Sequence, residues 1–563
     1  MLTSAFSKYF VIISLLLLSI ENSIAQTAYG YNGMVVSASE AASQVGIDVL
    51  KKGGNAIDAA VAVGFSLAVT YPSAGNLGGG GFMVIHLADG TNTTIDFREV
   101  APSSLSDKLF LDNEGKVVPE RSIKTVLGTG VPGTVKGLLT ALKKYGTFNK
   151  KEILSPAINL AENGFSLSFR HSESINYFNS EFNSHPSSKK IFTKNGDKFL
   201  YGDTLIQKDL ANTLKIISEK GEDGFYNGDI ADRLVQFIKD NGGVISKEDL
   251  VNYTVLEKNP LSYEYKGYKI ISMAPPSAGG IALIQAFQLF NKIDFEKIKW
   301  NSSEYIYFLT EAFKYIYAYR NKYLGDPDFV EIPIDYLLSD ELSENIFSDI
   351  INNRRTYNEI KNEELGISES LETTHYSVVD KMGNAVSVTY TINSSYGNKI
   401  VADGLGFLLN NEIDDFALSL DAVNQFGLTG SKANLIKSGK RMLSSMTPTI
   451  VLKNDKPYII VGSPGGSTII TSVIQVVSNI INYNMGIREA ITVPRFHHQG
   501  LPDALVYEEY GISPETISAL ESKGLIIGNR EVLGRVEGIL FDEAKSIFTG
   551  LSDPRGFGKA IGY

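Results

Sequence analysis

The 563-residue sequence contains no cysteine, which excludes disulfide bonds, thiolate nucleophiles, cysteine-ligated zinc and iron–sulfur clusters. Any catalytic chemistry must therefore use oxygen or nitrogen atoms. Positive charge is also scarce, because 52 Lys and Arg residues stand against 63 Asp and Glu residues and the formal net charge is −11. This balance disfavours nucleic acid as the main partner, since phosphate binding requires a basic face.

Long hydrophobic runs are scarce as well, and the N-terminal run over residues 9–20 is shorter than the roughly 20 residues of a membrane-spanning helix. Lys8 precedes the run, and Ser23-Ile24-Ala25 follows it as a small-x-small cleavage site, which is typical of a secretory signal peptide. We therefore expect cleavage after Ala25 and no stable membrane anchor. A cysteine-free exported chain is typical of bacteria, which predicts a periplasmic or secreted protein.

Hydrophobic residues make up 43% of the chain and charged residues 20%, as in a globular protein with a buried core. The length suits two to four ordinary domains or a single large layered unit. Ser37 and Glu40 form a capping-box pattern that predicts a helix N-terminus. Asn55 can cap a second helix over residues 56–68, whose Ala- and Val-rich sequence predicts burial between other layers.

Most of residues 108–366 alternate helical patterns with short connections, and we interpret this span as scaffold. Residues 352–372 are rich in charged and polar residues, which is typical of a solvated linker.

Two predicted strands, residues 373–380 and 385–392, follow the linker and form a candidate hairpin. The three residues between them end in Gly383, which suits a three-residue hairpin loop. In the register that this loop sets, Thr373 lies opposite Thr391, with Cβ atoms about 5 Å apart. A slip of one residue would pair Thr374 instead.

Thr373 thus begins a strand directly after a linker. A threonine at a free N-terminus can use its own α-amine as the general base, so that its hydroxyl becomes a nucleophile without a histidine partner. Thr373 would gain that amine if the bond after Glu372 were cut. The alternative is that Thr373 and Thr374 are merely β-branched residues at the start of a strand, and spacing alone favours this alternative.

A glycine-rich turn, residues 462–467, lies between a predicted strand pair and a helical pattern over residues 468–481. Backbone N–H groups at such a helix start can bind an anion. The turn lacks the Gly-Lys-Ser/Thr ending of a phosphate loop, and its amides suit an oxyanion hole for acyl transfer. A tight strand-to-helix connection explains this turn alone equally well.

Further polar residues could bind an amino acid zwitterion. Arg98 follows a predicted strand and could hold a carboxylate through two hydrogen bonds, although a surface ion pair is the more common outcome. The six histidines show no metal-ligand spacing, and we expect no metal. The other candidates are Glu412, Asp414, Asp415, Ser444 and Ser445.

Taken together, these motifs resemble the γ-glutamyltranspeptidase family, also called glutathione hydrolases, of the N-terminal-nucleophile hydrolases. The resemblance runs from about residue 30 to the C-terminus in matching order and spacing. The matching segments are residues 53–60, 75–83, 96–99, 373–380, 408–416, 441–449, 462–467, 494–499 and 553–555.

The resemblance implies an α+β fold, a four-layer αββα sandwich of the N-terminal-nucleophile hydrolase type, made as a proenzyme that cuts itself before Thr373. Residues 1–25 would be the signal peptide, residues 26–372 the large subunit and residues 373–563 the small catalytic subunit. The two subunits would form one αββα domain as a heterodimer.

The resemblance also assigns roles to individual residues. Thr373 would be the nucleophile, Thr391 would hydrogen-bond its hydroxyl, and Gly465 and Gly466 would form the oxyanion hole. A γ-glutamyl group would be held at its α-carboxylate by Arg98, Ser444 and Ser445, and at its α-amine by Asn393, Glu412 and Asp415.

The implied reaction is attack on the γ-amide of glutathione, followed by transfer of the γ-glutamyl ester to water or to an amino-acid or dipeptide acceptor. It needs no metal or organic cofactor.

Two features depart from the common pattern. Glu412 stands where bacterial relatives often carry glutamine, and Phe426 replaces a hydroxyl-bearing aromatic residue in a segment, residues 416–440, that resembles a lid.

Two alternatives remain at this point. One is a related amidase with another acyl specificity, cephalosporin acylase-like or polyglutamate-degrading, against which Arg98, the two serines and the lid count. The other is a non-catalytic periplasmic amino-acid-binding protein, against which Thr373, Thr391 and the glycine pair count.

Overall fold

A computed structural model describes residues 26–354, 373–419, 425 and 431–563. The predicted signal peptide, most of the predicted linker with Glu372, and Phe426 lie outside the described residues. In the described part, no helix is long and apolar enough to cross a membrane.

The helices are α1 (Glu40–Lys51), α2 (Ala56–Thr70), α3 (Pro119–Ile123), α4 (Thr134–Tyr145), α5 (Lys150–Asn163), α6 (Phe169–Tyr177), α7 (Asn179–Ser184), α8 (Pro186–Phe192), α9 (Lys208–Lys220), α10 (Glu222–Tyr226), α11 (Asp229–Asp240), α12 (Lys247–Asn252), α13 (Gly279–Phe290), α14 (Ser303–Tyr323), α15 (Ile334–Leu337), α16 (Asp340–Ile351), α17 (Thr468–Tyr483), α18 (Ile487–Thr492) and α19 (Pro514–Ser522).

The strands are β1 (Ala28–Gly30), β2 (Gly33–Ser37), β3 (Gly80–His86), β4 (Asn92–Asp96), β5 (Phe165–Ser166), β6 (Thr204–Leu205), β7 (Leu256–Lys258), β8 (Leu261–Tyr265), β9 (Tyr268–Ser272), β10 (Thr374–Asp380), β11 (Ala385–Thr391), β12 (Thr449–Lys453), β13 (Lys456–Gly462), β14 (Phe496–His497), β15 (Leu505–Tyr507), β16 (Ile527–Arg530), β17 (Glu537–Asp542), β18 (Ile547–Ser552) and β19 (Lys559–Gly562).

Two seven-stranded sheets form the centre of the molecule. One has the order β1-β18-β17-β13-β12-β9-β8, and the other has the order β19-β2-β10-β11-β3-β4-β7. Each pair of neighbours in both sheets is antiparallel. Both sheets therefore contain strands from before and after the predicted cut at Glu372, which interlocks the two predicted subunits.

Apolar side chains on the facing sides of the two sheets, such as Val36, Val379 and Ile460, form a thin core between them. A larger core joins the outer side of the β10 sheet to helices that include α2 and α4. A second large core joins the outer side of the β13 sheet to α13, α14 and α17. The expected αββα sandwich is confirmed, as two sheets with a helix layer on each outer face.

The sequence predicts α2 well and the start of α1 less well. Asn55 caps α2 and every residue of that helix is buried, as expected. The prediction that Ser37 caps the first helix is wrong, because Ser39 is the cap and its side chain accepts a hydrogen bond from the Ala42 N–H. Ser37 is instead the last residue of β2, where β10 and β19 both pair with it.

Candidate active site

Thr373 lies immediately before β10, at the end of the central hairpin. The predicted register is confirmed, since Thr374 pairs with Tyr390, and Gly383 in the loop has a φ of +93°. Thr373 Oγ1 donates a hydrogen bond to Thr391 Oγ1 over 3.4 Å. The Thr391 hydroxyl also accepts the Asn393 N–H at 2.8 Å. The hairpin therefore holds the two threonine hydroxyls together, as its loop predicts.

A cavity opens in front of Thr373, and polar residues from distant parts of the chain line it. Nine of the ten predicted site residues line this cavity. The tenth, Gly465, immediately precedes Gly466 in the chain. The nine are Arg98, Thr373, Thr391, Asn393, Glu412, Asp415, Ser444, Ser445 and Gly466.

The glycine-rich turn connects β13 to α17 and faces the cavity through Gly466. Gly465 has a φ of +130° and Gly466 a φ of +55°, in the region that glycine adopts without steric cost. A Cβ atom on Gly465 would lie 2.4 Å from Thr468 Oγ1, so a larger residue would clash with that hydroxyl. The Tyr317 hydroxyl donates a hydrogen bond to the Ser467 carbonyl and so fixes the end of the turn.

Arg98 is buried, so the surface ion pair considered from its sequence position is wrong. Its guanidinium lies 2.7 Å from Glu412 and 2.5 Å from Asp415, and 3.4 Å from the side chain of its neighbour Glu99. The backbone N–H of Arg98 donates to Asp96 Oδ1 at 3.0 Å, which fixes the residue at the end of β4. One guanidinium therefore faces three carboxyl groups.

This cluster holds more acidic groups than cations, and burial shifts their titration. Burial opposes the charge on Arg98, but Glu412, Glu99 and Asp415 raise its pKa. Burial raises the pKa of Glu99 to about 7 although Arg98 opposes the shift. Burial likewise raises the pKa of Glu412 and of Asp415, and Arg98 again opposes both shifts. A further cation beside this cluster, such as an ammonium group, would favour the ionised forms of these carboxyl groups.

Ser444 and Ser445 lie in the loop that leads into β12. The Ser444 N–H donates to the Pro276 carbonyl at 2.9 Å, and the Ser444 hydroxyl accepts the Met446 N–H at 3.1 Å. Ser445 is held from α14, because Arg320 Nη2 donates to its hydroxyl at 3.1 Å. Both serines therefore have defined orientations at the cavity wall beside Arg98.

Asn393 has a φ of +72°, an uncommon conformation that asparagine tolerates better than most residues. Its side-chain amide donates to the Asn411 carbonyl at 3.0 Å. The next residue after Asn411 is Glu412, which begins a short 3-10 helix, Glu412–Asp415. Asn393 thus ties the end of the nucleophile hairpin to the acidic side of the cavity.

Sequence reasoning missed a role for Arg320 and set Asp414 aside, although both line the cavity. Arg320 lies in the span interpreted as scaffold, where helical periodicity marks it only as a buried position. Asp414 accepts hydrogen bonds from the Ser122 hydroxyl at 2.8 Å and from the Gln425 N–H at 3.0 Å. Burial raises the pKa of Asp414 to about 6.

His497 and His498 are adjacent in the chain and have different partners. His497 Nδ1 lies 2.9 Å from Thr471 Oγ1 on α17, and His498 Nε2 lies 3.2 Å from Asp503.

The arrangement suits acyl transfer by a threonine hydroxyl to and from an amino acid zwitterion. One cavity contains a nucleophile candidate, a glycine turn at a helix start, an arginine with two serines, and a cluster of carboxyl groups. Comparisons with known proteins bear on this interpretation.

Residues 42–563 match the family described as gamma-glutamyltranspeptidase. The glutathione hydrolase proenzyme of Escherichia coli strain K12 is 45% identical over 538 residues, which cover 95% of this chain and 92% of the relative. The crystal structure of Helicobacter pylori gamma-glutamyltranspeptidase superposes with a TM-score of 0.55 at 45% identity, covering 59% of this chain and 93% of that chain.

A cephalosporin acylase from Bacillus halodurans superposes with a TM-score of 0.84 at 24% identity, covering 97% of this chain and 98% of that chain, which shows a shared fold. The architecture is therefore the α+β sandwich of the N-terminal-nucleophile hydrolases. The family match covers almost the whole chain, and the Escherichia coli relative is 45% identical over nearly its full length. Together with the fold, these findings show that the protein belongs to the γ-glutamyltranspeptidase family.

Proposed function

We propose that this protein is a self-processing γ-glutamyl acyltransferase and glutathione hydrolase with Thr373 as its nucleophile. The observation that carries the proposal is the contact of 3.4 Å between the hydroxyls of Thr373 and Thr391 in a cavity that also contains Arg98 and the serine pair. Membership of the family supports the reaction type.

Cleavage of the bond between Glu372 and Thr373 gives Thr373 a free α-amine. In turnover, this amine accepts the hydroxyl proton while Thr373 Oγ1 forms a bond to the γ-carbonyl carbon of the donor. The C–N bond of the amide then breaks, the proton passes to the leaving amine, and a γ-glutamyl ester of Thr373 remains. Water or the amine of an amino-acid or dipeptide acceptor takes the acyl group and restores the hydroxyl. No cofactor takes part in these steps.

Different groups around Thr373 have different roles in this reaction. The Thr391 hydroxyl orients the nucleophile, and the backbone N–H groups of Gly465 and Gly466 stabilise the negative charge that develops on the carbonyl oxygen. Both glycine conformations support this role, because they turn the backbone sharply before α17.

Recognition of the donor depends on its zwitterion. The α-carboxylate would bind Arg98, Ser444 and Ser445. The α-ammonium would bind near Asn393, Glu412 and Asp415, where the acidic groups outnumber the cations. A bound γ-glutamyl group would therefore place each of its charges next to a group of opposite sign.

We further propose that residues 1–25 direct export and are removed, and that the mature protein is a periplasmic or secreted heterodimer. Residues 26–372 form its large subunit and residues 373–563 its small subunit. Each sheet contains strands from both proposed subunits, which supports two chains that stay together after the cut.

Denaturing electrophoresis of the purified protein tests the proposal. We expect two bands, with Thr373 as the first residue of the smaller one by N-terminal sequencing, and hydrolysis of a γ-glutamyl anilide. Thr373→Ala should give one uncut chain without activity. An uncut parent chain that still hydrolyses the anilide would refute the mechanism.

A further inference from the structure

Arg320 is a buried cation with neutral hydrogen-bonding partners. The residue is 5% exposed, and its guanidinium donates to Asn321 Oδ1 at 2.9 Å and to Ser445 Oγ at 3.1 Å. Among the residues that the structure describes, its Nε has no hydrogen-bond partner. Within the described ranges, Arg320 forms no ion pair with an acidic side chain.

Three other buried cations have carboxylate partners, whereas buried Lys440 donates to two backbone carbonyls. Arg98 pairs with Glu412 at 2.7 Å, and Arg495 pairs with Asp553 at 2.7 Å. Lys314, which lies on α14 with Arg320, pairs with Glu311 at 3.0 Å. Burial of a charge without a direct ion pair is costly, so the environment of Arg320 is suited to an anion that arrives from outside.

The position of Arg320 indicates where that anion binds. Arg320 lines the same cavity as Thr373 and Arg98, and Asp415 is close enough to oppose the effect of burial on its pKa. The Ser445 hydroxyl accepts from Arg320, so the proton of that hydroxyl is available to an acceptor in the cavity. The Arg320 guanidinium and the Ser445 hydroxyl therefore lie together at the cavity wall beside Arg98.

We propose that Arg320 is a specificity-determining residue that completes the binding site for the α-carboxylate of the donor. It orients the Ser445 hydroxyl toward that carboxylate and adds a second positive charge. The guanidinium of Arg98 is already shared with Glu412 and Asp415. This inference depends on the proposed γ-glutamyl transfer and names a recognition element of the same site.

The test compares two donors, a γ-glutamyl anilide and the same anilide with its α-carboxylate replaced by a carboxamide. In Arg320→Met, we expect the preference for the carboxylate donor, measured as the ratio of the two kcat/KM values, to fall at least about tenfold. The loss should come mainly from a higher KM for the carboxylate donor. Arg320→Lys, which keeps the charge, should retain part of the preference.

Lys314→Met is the matched control, because it removes a buried cation from the same helix outside the cavity lining. It should lower stability and leave the donor preference within about twofold of the parent value. Arg320→Gln, which keeps a hydrogen-bond donor, replaces Arg320→Met if the latter does not fold.

An unchanged preference in the Arg320 variants, equal losses with both donors, or an equal change in Lys314→Met would each overturn the inference. A parent protein that neither cuts itself nor hydrolyses the carboxylate donor would instead refute the proposed function, so the two failures are distinguishable.

Discussion

The hydroxyl of Thr391 has two hydrogen-bond partners that make its role testable. It accepts the Asn393 N–H at 2.8 Å and contacts the Thr373 hydroxyl at 3.4 Å. The Thr391 oxygen therefore connects the Thr373 hydroxyl to the backbone N–H of Asn393. In the proposed mechanism, one threonine of this pair reacts and the other orients it.

Thr391→Val should slow both self-cleavage and turnover. A hydrogen bond to a charged or reacting group contributes about 1.5–3 kcal/mol, which corresponds to a loss of about 10- to 150-fold in rate. A time course on denaturing gels and kcat for a γ-glutamyl anilide measure the two effects. Thr391→Ser keeps the hydroxyl and should restore most of both rates. A serine variant as slow as the valine variant would assign the effect to packing of the methyl group.

Asp414 gives a prediction about pH. Burial raises its pKa from the ordinary 3.8 to about 6, so the folded state holds the proton more tightly than the unfolded state does. The associated stability is present below the ordinary pKa and is lost as the pH rises through about 6. At one pKa unit per 1.36 kcal/mol, the loss is at most about 3 kcal/mol.

Asp414→Asn cannot ionise and should escape this loss. We expect the free energy of unfolding of the variant, relative to the parent, to increase as the pH rises from about 4 to 7. Chemical denaturation at several pH values measures it. Identical pH dependence in parent and variant would show that Asp414 titrates normally in the folded protein.

At the scale of elements, α14 supports two parts of the site that follow the predicted cut. Tyr317 donates to the Ser467 carbonyl at the glycine turn, and Arg320, one turn further along, donates to Ser445. The Tyr317 ring also packs edge-on against His497, with ring centroids 5.7 Å apart. A helix that precedes the predicted cut thus contacts two loops that follow it, and both loops belong to the proposed donor site.

Tyr317→Phe should loosen the glycine turn. Loss of one buried hydrogen bond should lower the free energy of unfolding by about 1 kcal/mol, with a larger relative loss in kcat because the oxyanion donors become less ordered. Tyr376→Phe is the control, since the Tyr376 hydroxyl is buried and has no hydrogen-bond partner in the part of the chain that the structure describes. That change should be neutral or stabilising, and a drop in kcat as large as that of Tyr317→Phe would contradict the role of Tyr317.

The elements also show what the sequence can predict. The pairing of Thr373 with Thr391 follows from a local loop, so the sequence predicts the register correctly. The α1 cap was assigned to Ser37 instead of Ser39, because the pairing of Ser37 with Lys559 is invisible in a local pattern. Arg320 contacts Ser445 across 125 positions, and only the folded structure brings them together.

For the whole molecule, the family resemblance predicted the four-layer architecture, and the sheets explain why a cut chain can remain one body. In the β10 sheet, β10 lies between β2 and β11, and β2 in turn lies between β10 and β19. β2 comes from the predicted large subunit, and β10, β11 and β19 come from the predicted small one. Separation of the subunits would therefore break ladders in the interior of both sheets.

We expect the two processed chains to elute together in gel filtration under native conditions and to unfold in a single thermal transition. The uncut Thr373→Ala protein serves as the size standard. Elution of separate large and small chains in native buffer would contradict the interlocked arrangement of strands.

The central claim is that Thr373 carries the acyl group during turnover. Acid quenching of the enzyme during steady-state turnover of a γ-glutamyl donor, followed by mass spectrometry of its proteolytic peptides, tests it most directly. The account predicts a γ-glutamyl ester on the peptide that begins with Thr373, and no such ester when Thr373→Ala is treated in the same way. An ester on another residue, with Thr373 unmodified, would contradict the account.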